Sequence, residues 1–97
     1  MTEDPVAVAY VLFQPTRFKI LRLLYDTDEP IYISKIADRL GIDHKLAAFH
    51  LVTLSQHGLV HGEYGLENPP HNVPKAVKYY SITDAGKELL KKFLEVL

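Results

Sequence analysis

The most chemically versatile side chains in this sequence are five histidines, because imidazole can bind a metal ion, carry a proton or become cationic near neutral pH. They are His44, His50, His57, His61 and His71. His57 and His61 have the four-residue spacing that aligns two metal ligands on a helix, but Gly58 is expected to end such a helix. The chain has no cysteine to supply a thiolate ligand. The sequence therefore predicts no metal site and no cofactor.

The sequence also lacks the residue patterns that are typical of enzymes. It contains no glycine-rich phosphate loop, no ordered set of serine, histidine and aspartate, and no carboxylate pair in a recognisable motif. We therefore expect a protein without catalytic activity.

His50 is expected to be buried and hydrogen-bonded to the backbone, whereas His61 and His71 are expected to lie on the surface.

Composition and charge favour one small domain. The 97 residues are 47% hydrophobic and carry a formal net charge of −1. Many nucleic-acid-binding domains are strongly basic, so a phosphate-binding surface here would need basic residues clustered in space, or two copies side by side. No apolar run approaches the roughly 20 residues that cross a bilayer, and the N-terminus is acidic where a signal peptide is basic. We expect a cytoplasmic protein.

Capping and turn residues divide the apolar pattern into helices and short strands. Ser34, Asp43 and Thr83 are expected to cap helices at their N-termini, and Gly41 and Gly58 are expected to end them. The predicted elements are helices over 6–13, 15–25, 34–40, 43–57 and 84–97, and strands over 31–33, 59–66 and 76–82. The short connection between the helices over 34–40 and 43–57 is typical of a helix-turn-helix.

Three stretches resemble the ArsR-type and MarR-type regulators. PTRFKILRLLY is similar to their opening helix, ISKIADRLGIDHKLAAFHLVTLSQHGLV to their helix-turn-helix, and YYSITDAGKELL to the end of their wing and the start of their last helix. The resemblance implies one winged helix-turn-helix domain over 1–97, mainly α with a small β-hairpin (α+β). Within it, 34–57 is the helix-turn-helix, 59–82 is the wing, and 84–97 is the C-terminal helix, which dimerises together with 5–13.

The same resemblance implies a homodimeric transcriptional regulator that binds double-stranded DNA with the helix over 43–57 in the major groove. The residues expected to read bases are His44, Lys45, Ala48, Phe49, Val52 and Thr53. Those expected to contact phosphates, from the helix-turn-helix and the wing, are Lys35, Arg39, Gln56, His71, Lys75 and Lys78. Those expected in the dimer contact are Val6, Tyr10, Phe13, Leu89, Leu90, Phe93, Leu94 and Leu97.

The helix over 43–57 has a second apolar face that relatives usually fill with polar residues. At about 100° per residue, Leu51 and Leu54 lie within about 40° of Ala47 and form the packing face. Phe49 and Val52 lie on the far side. They can touch thymine methyl groups, which would bias reading toward thymine-bearing steps. Alternatively this face meets protein, either the C-terminal helix, the N-terminal segment or a partner. The competing hypothesis for function is therefore a protein-interaction module in a larger assembly.

Overall fold

Helices and strands follow one another in the order that the sequence predicts. The computed structural model describes residues 10–12, 14–67 and 75–96. Its elements are α1 (Pro15–Thr27), β1 (Ile31–Tyr32), α2 (Ile33–Leu40), α3 (His44–Gln56), β2 (Val60–Glu67), β3 (Lys75–Ile82) and α4 (Asp84–Val96). Tyr10 and Val11 are helical, and most of the predicted helix over 6–13 lies outside the described residues. The strands form an antiparallel sheet in the order β1-β3-β2, so the predicted α+β class is confirmed.

The turn between α2 and α3 is fixed by local chemistry. Gly41 adopts the left-handed conformation, with φ of 64°, and the Ile42 amide donates to the Ala37 carbonyl at 3.1 Å. The Asp43 carboxylate then accepts from the Lys45 amide at 3.0 Å and caps α3. Both predicted signals are confirmed, and only residues 41–43 separate the two helices.

Two predicted helix ends are wrong. Ser34 does not cap α2, because β1 stops pairing with β3 at Tyr32 and the helix starts at Ile33. Tyr32 occupies the cap position and provides no side-chain cap bond. In α1 the helix continues past Tyr25 to Thr27, since Asp28 takes the left-handed conformation and donates its amide to the Leu24 carbonyl at 3.3 Å. The start of α2 therefore depends on strand pairing with a distant part of the chain, and the end of α1 depends on the left-handed residue that follows Thr27.

The core contains buried side chains from every element. The largest ones that are fully buried are Leu12, Ile20, Leu21, Leu24, Ile36, Leu51, Leu54, Leu59 and Leu90. The three leucines of α1 and α4 in this set bring those helices against the face that α3 and the sheet supply. Packing therefore fixes α3 from one side only and leaves its opposite side facing outward.

Thr83 joins the end of α3 to the start of α4. Its hydroxyl donates to the Gly58 carbonyl at 2.7 Å and accepts from the Gly86 amide at 3.0 Å. Its own amide donates to the Leu59 carbonyl at 3.1 Å. A methyl group at Gly86 would overlap that same Leu59 carbonyl oxygen. The predicted cap at Thr83 is thus confirmed, and α4 approaches the backbone so closely that only glycine fits at position 86.

His50 and Arg17 join α3 to α1. His50 is 3% exposed, and its Nδ1 accepts a hydrogen bond from Arg17 Nε at 3.1 Å. The predicted backbone partner of His50 is therefore wrong, because the arginine side chain reaches the ring first. The neutral ring must carry its proton on Nε2, which is buried and has no hydrogen-bond partner among the described residues. Burial lowers the pKa of His50 below its ordinary value of 6.5, and the Arg17 guanidinium lowers that pKa further.

We expect Gly86→Ala to destabilise the fold by about 1–3 kcal/mol, because overlap with the Leu59 carbonyl outweighs the better helix propensity of alanine. Chemical denaturation monitored by circular dichroism measures this. The control is Glu88→Ala, an exposed position of the same helix, which should change stability by less than about 0.5 kcal/mol. An equal effect of the two substitutions would contradict the close approach at Gly86.

We expect stability to fall as the pH drops below about 6.5, because the unfolded chain then binds a proton at His50 that the folded chain does not. The stabilisation is fully present above the unfolded pKa and is lost as the pH falls toward the lower folded pKa. The slope from this group is at most about 1.4 kcal/mol per pH unit. Unfolding free energies of wild type and His50→Gln between pH 7.5 and 5.5 isolate it, since other groups cancel in the difference. Identical slopes for the two proteins would refute this expectation.

Candidate nucleic-acid interface

The outer side of α3 is an exposed, largely apolar surface. Ala47, Leu51 and Leu54 are wholly buried, as the helical period predicts. On the opposite side the exposed fraction is 61% for Phe49 and 51% for Val52, and on the flank beside them it is 41% for Leu46. We call these last three residues the apolar patch. Neither α4 nor any other described part of the chain covers it, so the hypothesis that the C-terminal helix covers this face is wrong.

Polar side chains border the apolar patch. His44, Lys45 and Gln56 are exposed, and Lys45 precedes Phe49 by one helical turn. Ala48 and Thr53 are half-buried, and the Thr53 hydroxyl donates to the Phe49 carbonyl at 3.2 Å. The hydroxyl proton of Thr53 is therefore used within the helix. His44, Lys45 and Gln56 are the other hydrogen-bonding side chains along this border.

The Phe49 ring is held in place although it is exposed. It packs edge-on against the buried ring of His50, with centroids 5.3 Å apart and an interplanar angle of 74°. His50 in turn is held by Arg17. The most exposed aromatic side chain of α3 therefore rests on a buried pair that belongs to the core.

Basic residues of the first helices divide into engaged and available groups. Arg17 is committed to His50, and Arg22 forms an exposed ion pair with Asp26 at 3.1 Å. On α2, Arg39 is exposed and Lys35 is half-buried. Lys19 of α1 is exposed as well. Of these five cations, the two on α2 belong to the helix that leads directly into the turn before α3.

The hairpin of β2 and β3 holds Lys78 between two tyrosine rings. The Lys78 ammonium lies 5.4 Å from the centroid of Tyr64 and 5.6 Å from that of Tyr80. Its methylene stem crosses Gly62, where a Cβ would lie 2.6 Å from Lys78 Cε. Strand β2 continues through this glycine, which makes room for the lysine side chain. His71 lies outside the described residues, and Lys75 is described only by its backbone.

Tyr64 and Leu66 are surface residues of the hairpin that the sequence reasoning missed. Each is 71% exposed. Side chains two residues apart in a strand point to the same side, so both share a strand face with Val60. Val60 itself is buried. The alternation of residue types in VHGEYGL could have placed these two side chains on the same face as Val60. It could not show that this face is exposed from Tyr64 onward, because that depends on how far the hairpin extends beyond α3.

The residues predicted for dimerisation are only partly available. Leu89, Phe93 and Leu94 are half-buried, and Phe93 contacts Phe18 with ring centroids 5.3 Å apart. Tyr10 is 67% exposed. Leu90 is fully buried within the chain and cannot contact a second copy, so its assignment is corrected to the core. Val6, Phe13 and Leu97 lie outside the described residues.

Within 10–12, 14–67 and 75–96, no three histidine, aspartate or glutamate side chains are grouped so that they could hold a metal ion. No helix in these ranges combines the length and apolar content needed to span a membrane.

Comparison with known proteins places this fold in a family. Mb0332 from Mycobacterium bovis, a possible ArsR-family transcriptional regulator, has a homodimeric winged helix-turn-helix DNA-binding domain that is 26% identical. The TM-score is 0.65, and the match covers 96% of this chain and 75% of that one. RV1404 from Mycobacterium tuberculosis shares the fold at 18% identity and a TM-score of 0.60, with coverage of 93% and 61%. No curated protein matches.

The model of the helix-turn-helix domain family matches residues 12–63, more than half of the chain. The chain therefore belongs to the helix-turn-helix domain family, and its β2–β3 hairpin is the wing of a winged helix-turn-helix fold.

Proposed function

We propose that this protein is a transcriptional regulator without enzymatic activity that binds double-stranded DNA as a homodimer, with α3 in the major groove. The observation that carries the proposal is the outward-facing side of α3, which follows a tight turn after α2 and has Lys45 in its first turn. A domain of this family with α3 exposed along its length can enter a groove about 12 Å wide.

Side chains on α3 supply the base contacts in this proposal. They are His44, Lys45, Ala48, Phe49, Val52 and Thr53. Lys45 can donate to the O6 and N7 atoms of guanine, and the apolar residues can contact thymine methyl groups. Phosphate contacts come from Lys35, Arg39 and Gln56 beside α3 and from His71, Lys75 and Lys78 of the wing. The Lys78 ammonium already lies within cation–π distance of two tyrosine rings, which favours its present position on the wing.

Dimerisation is supported by the homodimeric state of the similar Mycobacterium bovis domain and by the half-buried apolar side chains of α4, which are Leu89, Phe93 and Leu94. The contact uses Val6, Tyr10, Phe13, Leu89, Phe93, Leu94 and Leu97. A second copy also increases the number of basic side chains that can contact phosphates. One chain of net charge −1 offers few phosphate contacts, whereas two copies double them on one duplex.

The apolar patch favours a second candidate function, contact with another protein. Exposed apolar surface of this kind is common at protein interfaces. The two functions respond differently to salt. Binding to DNA weakens steeply with ionic strength because counterions are released, whereas apolar protein contact does not.

We expect selection from genomic DNA fragments to yield pseudo-palindromic sites with half-sites roughly 34–36 Å apart, or one turn of the duplex. The logarithm of the association constant for such a site should fall linearly as the logarithm of the salt concentration rises. Fluorescence anisotropy measures this, and analytical ultracentrifugation verifies that the protein is dimeric. The absence of any duplex binding at low salt by a dimeric sample would refute the proposed function.

We expect Lys45→Ala to weaken binding to a selected site by roughly 5- to 150-fold, the range for loss of one base contact of about 1–3 kcal/mol. The matched control is Lys92→Ala, which removes the same charge from an exposed position of α4 away from the turn and α3. It should leave affinity within about twofold of wild type because long-range charge effects are screened by salt. Equal losses in both variants would show that Lys45 contributes only net charge.

A further inference from the structure

We propose that the apolar patch recognises the C5-methyl group of pyrimidines in the major groove, so that 5-methylcytosine is accepted in place of thymine. This inference rests on the proposed function, because it identifies what the exposed side of α3 reads. It adds recognition of methyl groups by apolar contact to the hydrogen bonds that Lys45 can donate to guanine.

The size and spacing of the apolar patch suit a row of bases. Leu46, Phe49 and Val52 are three residues apart along α3, so they lie on one side of the helix and extend about 9 Å along its axis. Bases on one strand are about 3.4 Å apart, so the patch covers roughly two to three steps. Phe49 is central and most exposed of the three, at 61%.

The chemistry of the surrounding side chains favours methyl recognition. The carboxylate of Asp43 caps the helix and the hydroxyl of Thr53 donates to the backbone, so both are engaged within α3. Among the features that the four bases present in the major groove, the methyl group of thymine is the apolar one. A methyl group at C5 of cytosine occupies the equivalent place. Apolar side chains therefore discriminate by this group.

Charge argues that DNA, rather than another protein, occupies the patch. Exposed Lys45 stands one turn before Phe49, and α2 carries exposed Arg39 and half-buried Lys35. These three cations exceed the two exposed carboxylates of the same elements, Asp38 and Asp43. The centres of protein interfaces are depleted of lysine, whereas apolar contacts to bases are flanked by cations that meet phosphates. The Phe49 ring already contacts the buried His50 ring in the free chain, and a contact made before binding lowers the entropy cost of ordering the side chain.

The test removes methyl groups and nothing else from the ligand. A selected duplex is resynthesised with deoxyuridine in place of every thymidine, and dissociation constants are measured for both forms. Wild-type protein should bind the deoxyuridine duplex more weakly by about fourfold for each contacted methyl group. At the thymine that matters most, replacing its base pair by C·G and then methylating the cytosine at C5 should recover about fourfold of the affinity lost.

Variants of the protein assign the effect to the patch. Phe49→Ala should lose most of the difference between thymidine and deoxyuridine duplexes, whereas Lys45→Ala should weaken binding to both and keep their ratio. Because Phe49 is largely exposed, the variant should keep its fold, which thermal melting and sedimentation verify. Val52→Ala provides a second variant at the edge of the patch. A reduced but measurable ratio is expected for it.

The outcomes separate this inference from the function on which it rests. Equal affinity of wild-type protein for thymidine and deoxyuridine duplexes, with steep salt dependence intact, would refute methyl recognition and leave DNA binding standing. A thymidine preference that Phe49→Ala retains would also refute it. A failure to bind any duplex would refute both, and the apolar patch would then belong to a protein contact.

Discussion

The rotation of α3 about its own axis is set by the burial of Ala47, Leu51 and Leu54, and the properties of the exposed surface depend on that rotation. Full burial of one leucine side chain contributes about 1.5–3 kcal/mol. A turn of α3 by one residue would bring both leucines toward water and cost several kcal/mol, a large part of the roughly 5–15 kcal/mol that stabilises a typical domain. The core therefore decides which side chains face outward, and Phe49 and Val52 are exposed because their neighbours are buried.

The same packing explains why His50 is retained inside the structure at some energetic cost. Its Nε2 has no partner among the described residues, and an unsatisfied buried donor costs about 1–3 kcal/mol. In return, its Nδ1 holds Arg17 and its ring supports Phe49. A leucine at this position would leave Arg17 Nε without its acceptor on His50. The position of Phe49 therefore depends on a polar residue that the core alone does not require.

Features determined by neighbouring residues could be predicted from the sequence, and features determined by distant ones could not. The caps at Asp43 and Thr83, the end at Gly41 and the buried side of α3 depend on residues within a turn or two, and all were predicted. The start of α2 depends on the pairing of Tyr32 with Tyr79, and the partner of His50 lies 33 residues away. Lys78 and Tyr64 meet only after the hairpin sets the register of β2 and β3. The amphipathic pattern of α4 predicted its apolar side. It could not distinguish Leu90, which is buried within the chain, from apolar residues available for a dimer contact.

Thr83 has a mechanical consequence for the proposed homodimer. Since one side chain bonds both the Gly58 carbonyl and the Gly86 amide, the end of α3 and the start of α4 move together. In a dimer joined through α4, the angle at which the two copies meet then sets the separation of the two α3 helices. With a lever arm of about 20 Å, the length of a 13-residue helix, a change of roughly 10° at the subunit contact displaces α3 by about 3.5 Å. That displacement is close to one base step of about 3.4 Å. The geometry of the subunit contact would therefore determine the distance between half-sites that the proposed dimer can bind.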